Sequence, residues 1–355
     1  MQERRLPKHI VIVWLIALLL LSAGCRNEAD NITIIDPPTA EQSDSLALER
    51  IDRLDDVYAF GWLSENELLY SSDLVTDGDL HIRNLQNDSS HPVGIKSKDI
   101  AQLSPDRTHV LLADRIHAEL GDLITGDSLS LQIGEAGLSW MMEDSKGSWS
   151  GNGTYVMPIV KGNEYGLVFI DQSGKVTPYA LPSADQPVQK VVQHHERLYY
   201  MDANKQLKTT VWGSNEEKLI RSKVIDFSLS PDGKRLAVAW ESAADEVSLS
   251  IIDSSGSKPD QPIVKGRLLQ QLSWSPDGQR LAFAIFSLSQ GMTGLYVMDA
   301  KTGFMLPLST QANLNNEIIW SPSGHQLFVS NGKRWTQDAQ ISTTIYQLKP
   351  INITE

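Results

Sequence analysis

Four groups of side chains in this 355-residue chain could do chemistry. Cys25, the lone thiol, follows the small-residue run Leu21-Ser22-Ala23-Gly24. Asp73, Asp77 and Asp79 flank Gly78 and offer the hard oxygen ligands that Ca²⁺ takes. Their spacing lacks the ligand alternation of an EF-hand loop, so they read as a solvated acidic turn. His194 and His195 are adjacent, and neighbours on a strand point to opposite faces, so they do not converge on one metal ion. The fourth group is a set of charges between apolar runs: Asp114, Arg115, Glu119, Asp122, Glu241, Asp245 and Glu246. A mostly acidic surface of this kind attracts cationic partners and steers their approach.

Several chemistries are missing. The chain has no His-Glu-x-x-His pair, no phosphate-binding Gly-Lys loop and no Gly-x-Ser-x-Gly elbow. A single cysteine excludes an internal disulfide and a multi-thiolate zinc site. With 31 Lys+Arg against 44 Asp+Glu, net charge −13, the chain lacks the cation excess on which nucleic-acid binding draws. These absences point to a noncatalytic binding module that needs no cofactor. The competing reading is a hydrolase or lyase whose site is assembled from loops of different repeats, where no local motif announces it.

The first residues set the address. Arg4, Arg5 and Lys8 precede an uncharged apolar run from Ile10 to Leu21, too short to span a bilayer, which takes roughly 20 apolar residues. The run ends at Ser22-Ala23-Gly24-Cys25, which resembles the lipobox of bacterial lipoproteins. The resemblance implies that residues 1–24 are a signal peptide, that the Cys25 sulfur carries a diacylglycerol, and that the chain is held on the outer side of the cell membrane. Acyl chains contribute about 0.8 kcal/mol per buried CH₂, so two or more of them anchor a protein durably. Removing three cations and one anion with the signal takes the net charge from −13 to −15. Residues 25–45, polar and carrying Pro37-Pro38, read as the lipidated cysteine and a tether.

Beyond the tether the chain repeats. Trp274-Ser275-Pro276-Asp277-Gly278 is followed by the alternating strand Arg280-Leu281-Ala282-Phe283, and close copies begin at Leu229 and Trp320. Weaker copies begin at Trp62, Leu103 and Trp149, and a degenerate one near Gln193 has His194-His195-Glu196 as its turn. The seven anchors lie 36 to 46 residues apart, the spacing of a four-stranded propeller blade. Ser, Pro, Asp and Gly at successive positions suit a type I turn, with proline presetting φ, so each copy is a hairpin between two strands. The last repeat lacks a fourth strand, which residues near Leu46 to Leu54 can supply. That closure removes the open sheet edge. The expected fold is therefore an all-β propeller over residues 46–355, with four-stranded antiparallel blades.

The repeats resemble the SPDG-type propeller repeats of the TolB family, and the whole plan is similar to the YqgU-like lipoproteins of bacilli. Seven anchors give seven blades; the six of those families are the alternative. Trp62, Trp149, Trp274 and Trp320 keep a fixed place before the turn, which reads as packing between blades rather than as a sugar-stacking array.

The blade plan also places the charges. Connections between second and third strands leave the disc opposite the SPDG turns. Counted from the sequence they hold twelve acids against four bases, with 114–127 as one long loop. The expectation is that this acidic face recognises a cationic extracytoplasmic protein, peptide or envelope component.

Overall fold

A computed structural model describes residues 45–351 apart from 75–77, 115–116, 134–138, 141–145, 184, 257–260, 288–290, 311–316 and 333–339. The signal, the tether and Cys25 lie outside the described residues, as do Asp77 and Arg115. Every regular element described is a β-strand, and the strands form seven antiparallel sheets arranged in a ring. The protein is a seven-bladed β-propeller.

Blades one to six take residues 58–96, 100–130, 139–180, 188–221, 224–266 and 268–309. Blade seven takes residues 318–351 and borrows its outermost strand from the N-terminal side, Ser45–Asp55. The innermost strand of blade three is in two pieces, Ser139–Trp140 and Ser148–Trp149. The weak repeats are full blades. In blade four the first hairpin pairs His194 with Arg197, with His195 at φ +52° in the tight turn.

The SPDG string builds its turn through its first serine. In blades five, six and seven, the Gly233, Gly278 and Gly324 N–H groups donate to the carbonyls of Ser230, Ser275 and Ser321 at 2.8 to 3.0 Å. The serine hydroxyls are buried and accept from the N–H five residues on, closing the start of the second strand. In blades five and six they also donate to Asp232 and Asp277. The fourth position needs a left-handed backbone, with φ +70° at Gly233 and +68° at Gly278. A side chain at Gly233 would also strike His194 of the preceding blade, whose ring lies 2.2 Å from where a Cβ would stand. Arg107 takes this position in blade two at φ +61°.

The anchor tryptophans brace one blade to the next. The indole N–H groups of Trp62, Trp149, Trp274 and Trp320 donate to the carbonyls of Ile319, Gln102, Ser228 and Ser273, each the residue before the preceding blade's own anchor, at 2.9 to 3.2 Å. A second brace runs between turns. Arg235 and Arg280 donate to the carbonyls of Gly278 and Gly324, and Gln326 repeats the contact to the Glu65 carbonyl, closing the circle from blade seven to blade one.

The ring is sealed by strand pairing and by buried hydrogen bonds. Ser45–Asp55 pairs antiparallel with Ser342–Ile351, from Ser45 opposite Ile351 to Asp55 opposite Ser342. Leu46, Leu48 and Leu54 pack into the clusters that join blade seven to its neighbours. Thr343 Oγ1 donates to the Val57 carbonyl and accepts from the Ala59 N–H, while Ser330 Oγ donates to the Ala59 carbonyl, all buried. Buried hydroxyls matched in this way fix register as well as stability.

Candidate functional site

The expected acidic face is not assembled as the sequence suggested. Ala118–Asp122 and Ser128–Ser130 are the third and fourth strands of blade two, so 114–127 is not one loop. Glu119 belongs to a strand, and Asp122 and Asp127 lie at the other end of the disc, beside the SPDG turns. Asp122 caps its own turn there, accepting from the Ile124 and Thr125 N–H groups. Glu241 ends up inside the second strand of blade five, Glu246 opens the third, and Asp245 sits between them at φ +58°.

Most of these acids already have cations. Lys98, largely buried, sits 3.1 Å from Asp114 and 3.4 Å from Glu119. Burial pulls the Lys98 ammonium down, but the hydrogen bond to Asp114 and the charge of Glu119 outweigh it and hold it above the usual lysine range. Lys205 pairs with Glu241 at 2.6 Å, Lys265 with Glu246 at 3.0 Å and Lys96 with Asp79 at 2.8 Å. Lys96 and Lys265 stand on fourth strands, Lys98 in the link from blade one to blade two and Lys205 in the second-to-third connection of blade four; none of them entered the tally, so the face is less negative than it suggested.

Charge instead converges on the axis. Counting back three residues from each anchor gives Ala59, Ile100, Lys146, Lys190, Asp226, Gln271 and Glu317 on blades one to seven. Lys146, Lys190, Asp226, Gln271 and Glu317 line a cavity of about 440 Å³ between the innermost strands. Bulges crowd this level: the register slips between Val188 and Lys190, between Val224 and Asp226, and between Gln270 and Ser273, with Gln271 at φ +62°. A bulge re-aims the side chain beside it.

The four charges form two unlike pairs. Lys190 Nζ is 2.7 Å from Asp226 Oδ1, and both side chains are mostly buried. Asp226 also accepts from its own neighbour, the Phe227 N–H, and from the Leu272 N–H of blade six, while the Lys190 ammonium lies over the Phe227 ring. This pair is fixed from three blades. Lys146 and Glu317 meet at 3.3 Å from blades three and seven, and each side chain is close to half exposed. Their pair lines both the main cavity and a second one of about 220 Å³, so it stands as a bar between the two. The backbone of Lys146 bridges directly to blade four, donating to the Gln189 carbonyl and accepting from the Val191 N–H, which sets Lys146 and Lys190 side by side. Behind them the fully buried Tyr155 hydroxyl is pushed far up by burial and by the Glu317 charge, so it stays neutral.

Sequence reasoning missed this ring because it compared the residues after each turn. The signal was the opposite flank of the same repeats: five consecutive blades carry a polar or charged residue three places before an anchor otherwise set in apolar strand.

No protein-family model and no curated protein matches the sequence. Solved structures do. An oligogalacturonate lyase in complex with manganese superimposes with a TM-score of 0.63 at 11% identity, over 86% of this chain and 98% of that chain. An oligogalacturonate lyase from Vibrio parahaemolyticus does so with 0.59 at 10%, over 85% and 98%. A streptogramin B lyase gives 0.54 at 9%, over 84% and 98%. At such identities the likeness is one of fold. It nonetheless corrects the noncatalytic expectation, which rested on missing motifs: lyases are among the proteins that share this fold, so the fold and the missing motifs do not exclude an enzyme. Among the described residues no three His, Cys, Asp or Glu side chains converge as metal ligands, so nothing there matches the manganese of the first lyase.

Proposed function

We propose that the protein is an extracytoplasmic propeller, anchored through a lipid on Cys25, whose axial mouth binds a carboxylated saccharide and cleaves it by lyase-type elimination. One observation supports this above the rest: two cations and two carboxylates share one register position around a cavity of ligand size. The oligogalacturonate lyases of similar fold support the choice of chemistry, and the lipobox-like run ending at Cys25 supports the location.

The two ion pairs have different jobs. A half-exposed pair contributes about 0–1 kcal/mol, so a substrate carboxylate can displace Glu317 from Lys146 at little cost. Glu317 is thereby released beside the bound substrate as a base. It takes the proton from the carbon next to the carboxylate; the electron pair forms the new C=C bond to the adjacent carbon, the C–O bond on that adjacent carbon breaks, and the leaving oxygen takes a proton from solvent. Lys190, pinned by Asp226, supplies a fixed positive charge toward the negative charge that develops on the substrate carboxylate.

The reaction is tested by incubating the protein with oligogalacturonate and following the ultraviolet absorbance of the unsaturated product. Glu317→Gln is expected to lower the rate by about 100-fold or more with the fold intact. Absence of unsaturated product from the unaltered protein would falsify the lyase reading. The anchor is tested separately by Cys25→Ser, which is expected to move the protein from the membrane pellet to the soluble fraction; retention in the pellet contradicts a lipid on that sulfur.

A further inference from the structure

A third cavity, of about 640 Å³, lies away from the axis, in the cleft between blades three and four at the SPDG end. Its wall is Trp212, which follows the third strand of blade four and is 41% exposed, unlike the buried anchor tryptophans. The indole is held from behind. Tyr179, which does not line the cavity, stacks on it at 5.1 Å and 26°, while the buried Phe169 ring meets it edge-on at 4.0 Å as part of the floor. The Trp212 backbone N–H donates to the Glu196 carbonyl, tying the platform to the first hairpin of its own blade. An exposed tryptophan fixed on three sides is not serving the core.

The rest of the lining is chiefly neutral and hydrogen-bonding, including Asn152, Thr177 and Gln193. Its charges are few: Lys175 stands against Glu196 and Asp171 with His195 beside them, and Asp171 is occupied by its own turn, accepting from Ser173 and from the Lys175 N–H. Gln193 uses its amide N–H on the His195 carbonyl, and its Oε1 is buried with no hydrogen-bond partner. A buried acceptor left in this state costs about 1–3 kcal/mol.

We propose that this cleft is a binding site for a neutral saccharide, which lays the C–H face of one sugar ring on Trp212 and hydrogen-bonds its hydroxyls to the polar lining at Asn152, Thr177 and Gln193. A flat apolar platform with a polar rim fits a ring that is apolar on its face and hydroxylated at its edge. With Asp171 taken up by its own turn, the lining offers an organic cation only Glu196, and Lys175 lines the same cavity. The site is independent of the axial reading: it shares no residue with the axial cavity and stands whether or not the mouth is catalytic.

The test is saturation-transfer NMR of cellotriose and triacetylchitotriose with the full-length protein in detergent micelles. Transfer to ring protons of at least one trisaccharide is expected. It should be abolished by Trp212→Ala, retained in weakened form by Trp212→Phe, and reduced about tenfold in affinity by Gln193→Leu, a loss of ~1.4 kcal/mol. Lys146→Met should leave it unchanged. If Trp212→Ala fails to fold, the Gln193→Leu and Trp212→Phe pair decides. No transfer to either trisaccharide, or transfer that ignores both Trp212 and Gln193, overturns the proposal; loss with Lys146→Met would assign the sugar to the axis instead and overturns it equally.

Discussion

At the scale of single residues the repeat exposes its own exceptions. Arg107 holds a left-handed backbone where other SPDG turns place glycine. A non-glycine there is strained, although glycine loses more entropy on folding, so Arg107→Gly is expected to stabilise by about 0.5–1 kcal/mol, read as a rise in Tm; an unchanged or lower Tm contradicts this account of the turn. In blade four Glu217 accepts from the Tyr200 and Ser183 hydroxyls and lies 3.3 Å from Lys208. Burial alone would raise its carboxyl, but those hydroxyls and the Lys208 charge hold it below its ordinary value of 4.5. A depressed folded pKa gives stability that is complete above the ordinary value and is lost as pH falls through the folded one. The unaltered protein is therefore expected to lose stability faster below pH 4.5 than Glu217→Gln does, measured as Tm against pH; equal slopes would remove Glu217 from the acid response. Neither residue was legible as special, because Arg107 differs from its equivalents by one letter and Glu217 finds its partners only through blade curvature.

At the scale of elements, the strands and hairpins followed from turn chemistry and alternation, since an SPDG string with apolar residues on both sides has few other ways to satisfy its backbone. The seventh-blade strap was legible for a negative reason: blade seven lacked a fourth strand, and an open edge is a liability. Deleting 44–54 strips the outer strand from Ser342–Ile351 and uncovers the partners of Leu46 and Leu54. The expected result is aggregation or a fall in Tm of more than ~10 °C, at about 2–4 °C per kcal/mol in large domains; a soluble deletion variant with unchanged Tm contradicts closure by this strand. The tryptophan braces allow a finer test. Trp274→Phe keeps a ring in the blade interface but removes the donor to the Ser228 carbonyl, and is expected to cost about 1–2 kcal/mol in urea unfolding. A cost near zero would reduce the anchor to a space-filler. The acidic face was misread at this same scale, because two short strands in blade two turned half of a supposed loop to the other end of the disc, and the neutralising lysines come from fourth strands and from connections of neighbouring blades.

At the scale of the whole molecule, a propeller brings together residues far apart in sequence at a single level of its axis, and only counting every blade from the same anchor reveals them. Lys146 and Glu317 are 171 positions apart and meet at 3.3 Å. No local motif encodes that meeting, which is why missing motifs said nothing about catalysis. The axial bar is expected to yield to an anionic ligand. Calorimetric titration of the full-length protein with trigalacturonate tests it most directly, compared with Lys146→Met at low and at physiological salt. Binding is expected to weaken as salt rises and to be lost in Lys146→Met, with the variant's Tm close to that of the unaltered protein because the exposed pair adds little stability. Binding of equal strength in Lys146→Met, or no binding by the unaltered protein at low salt, would contradict it.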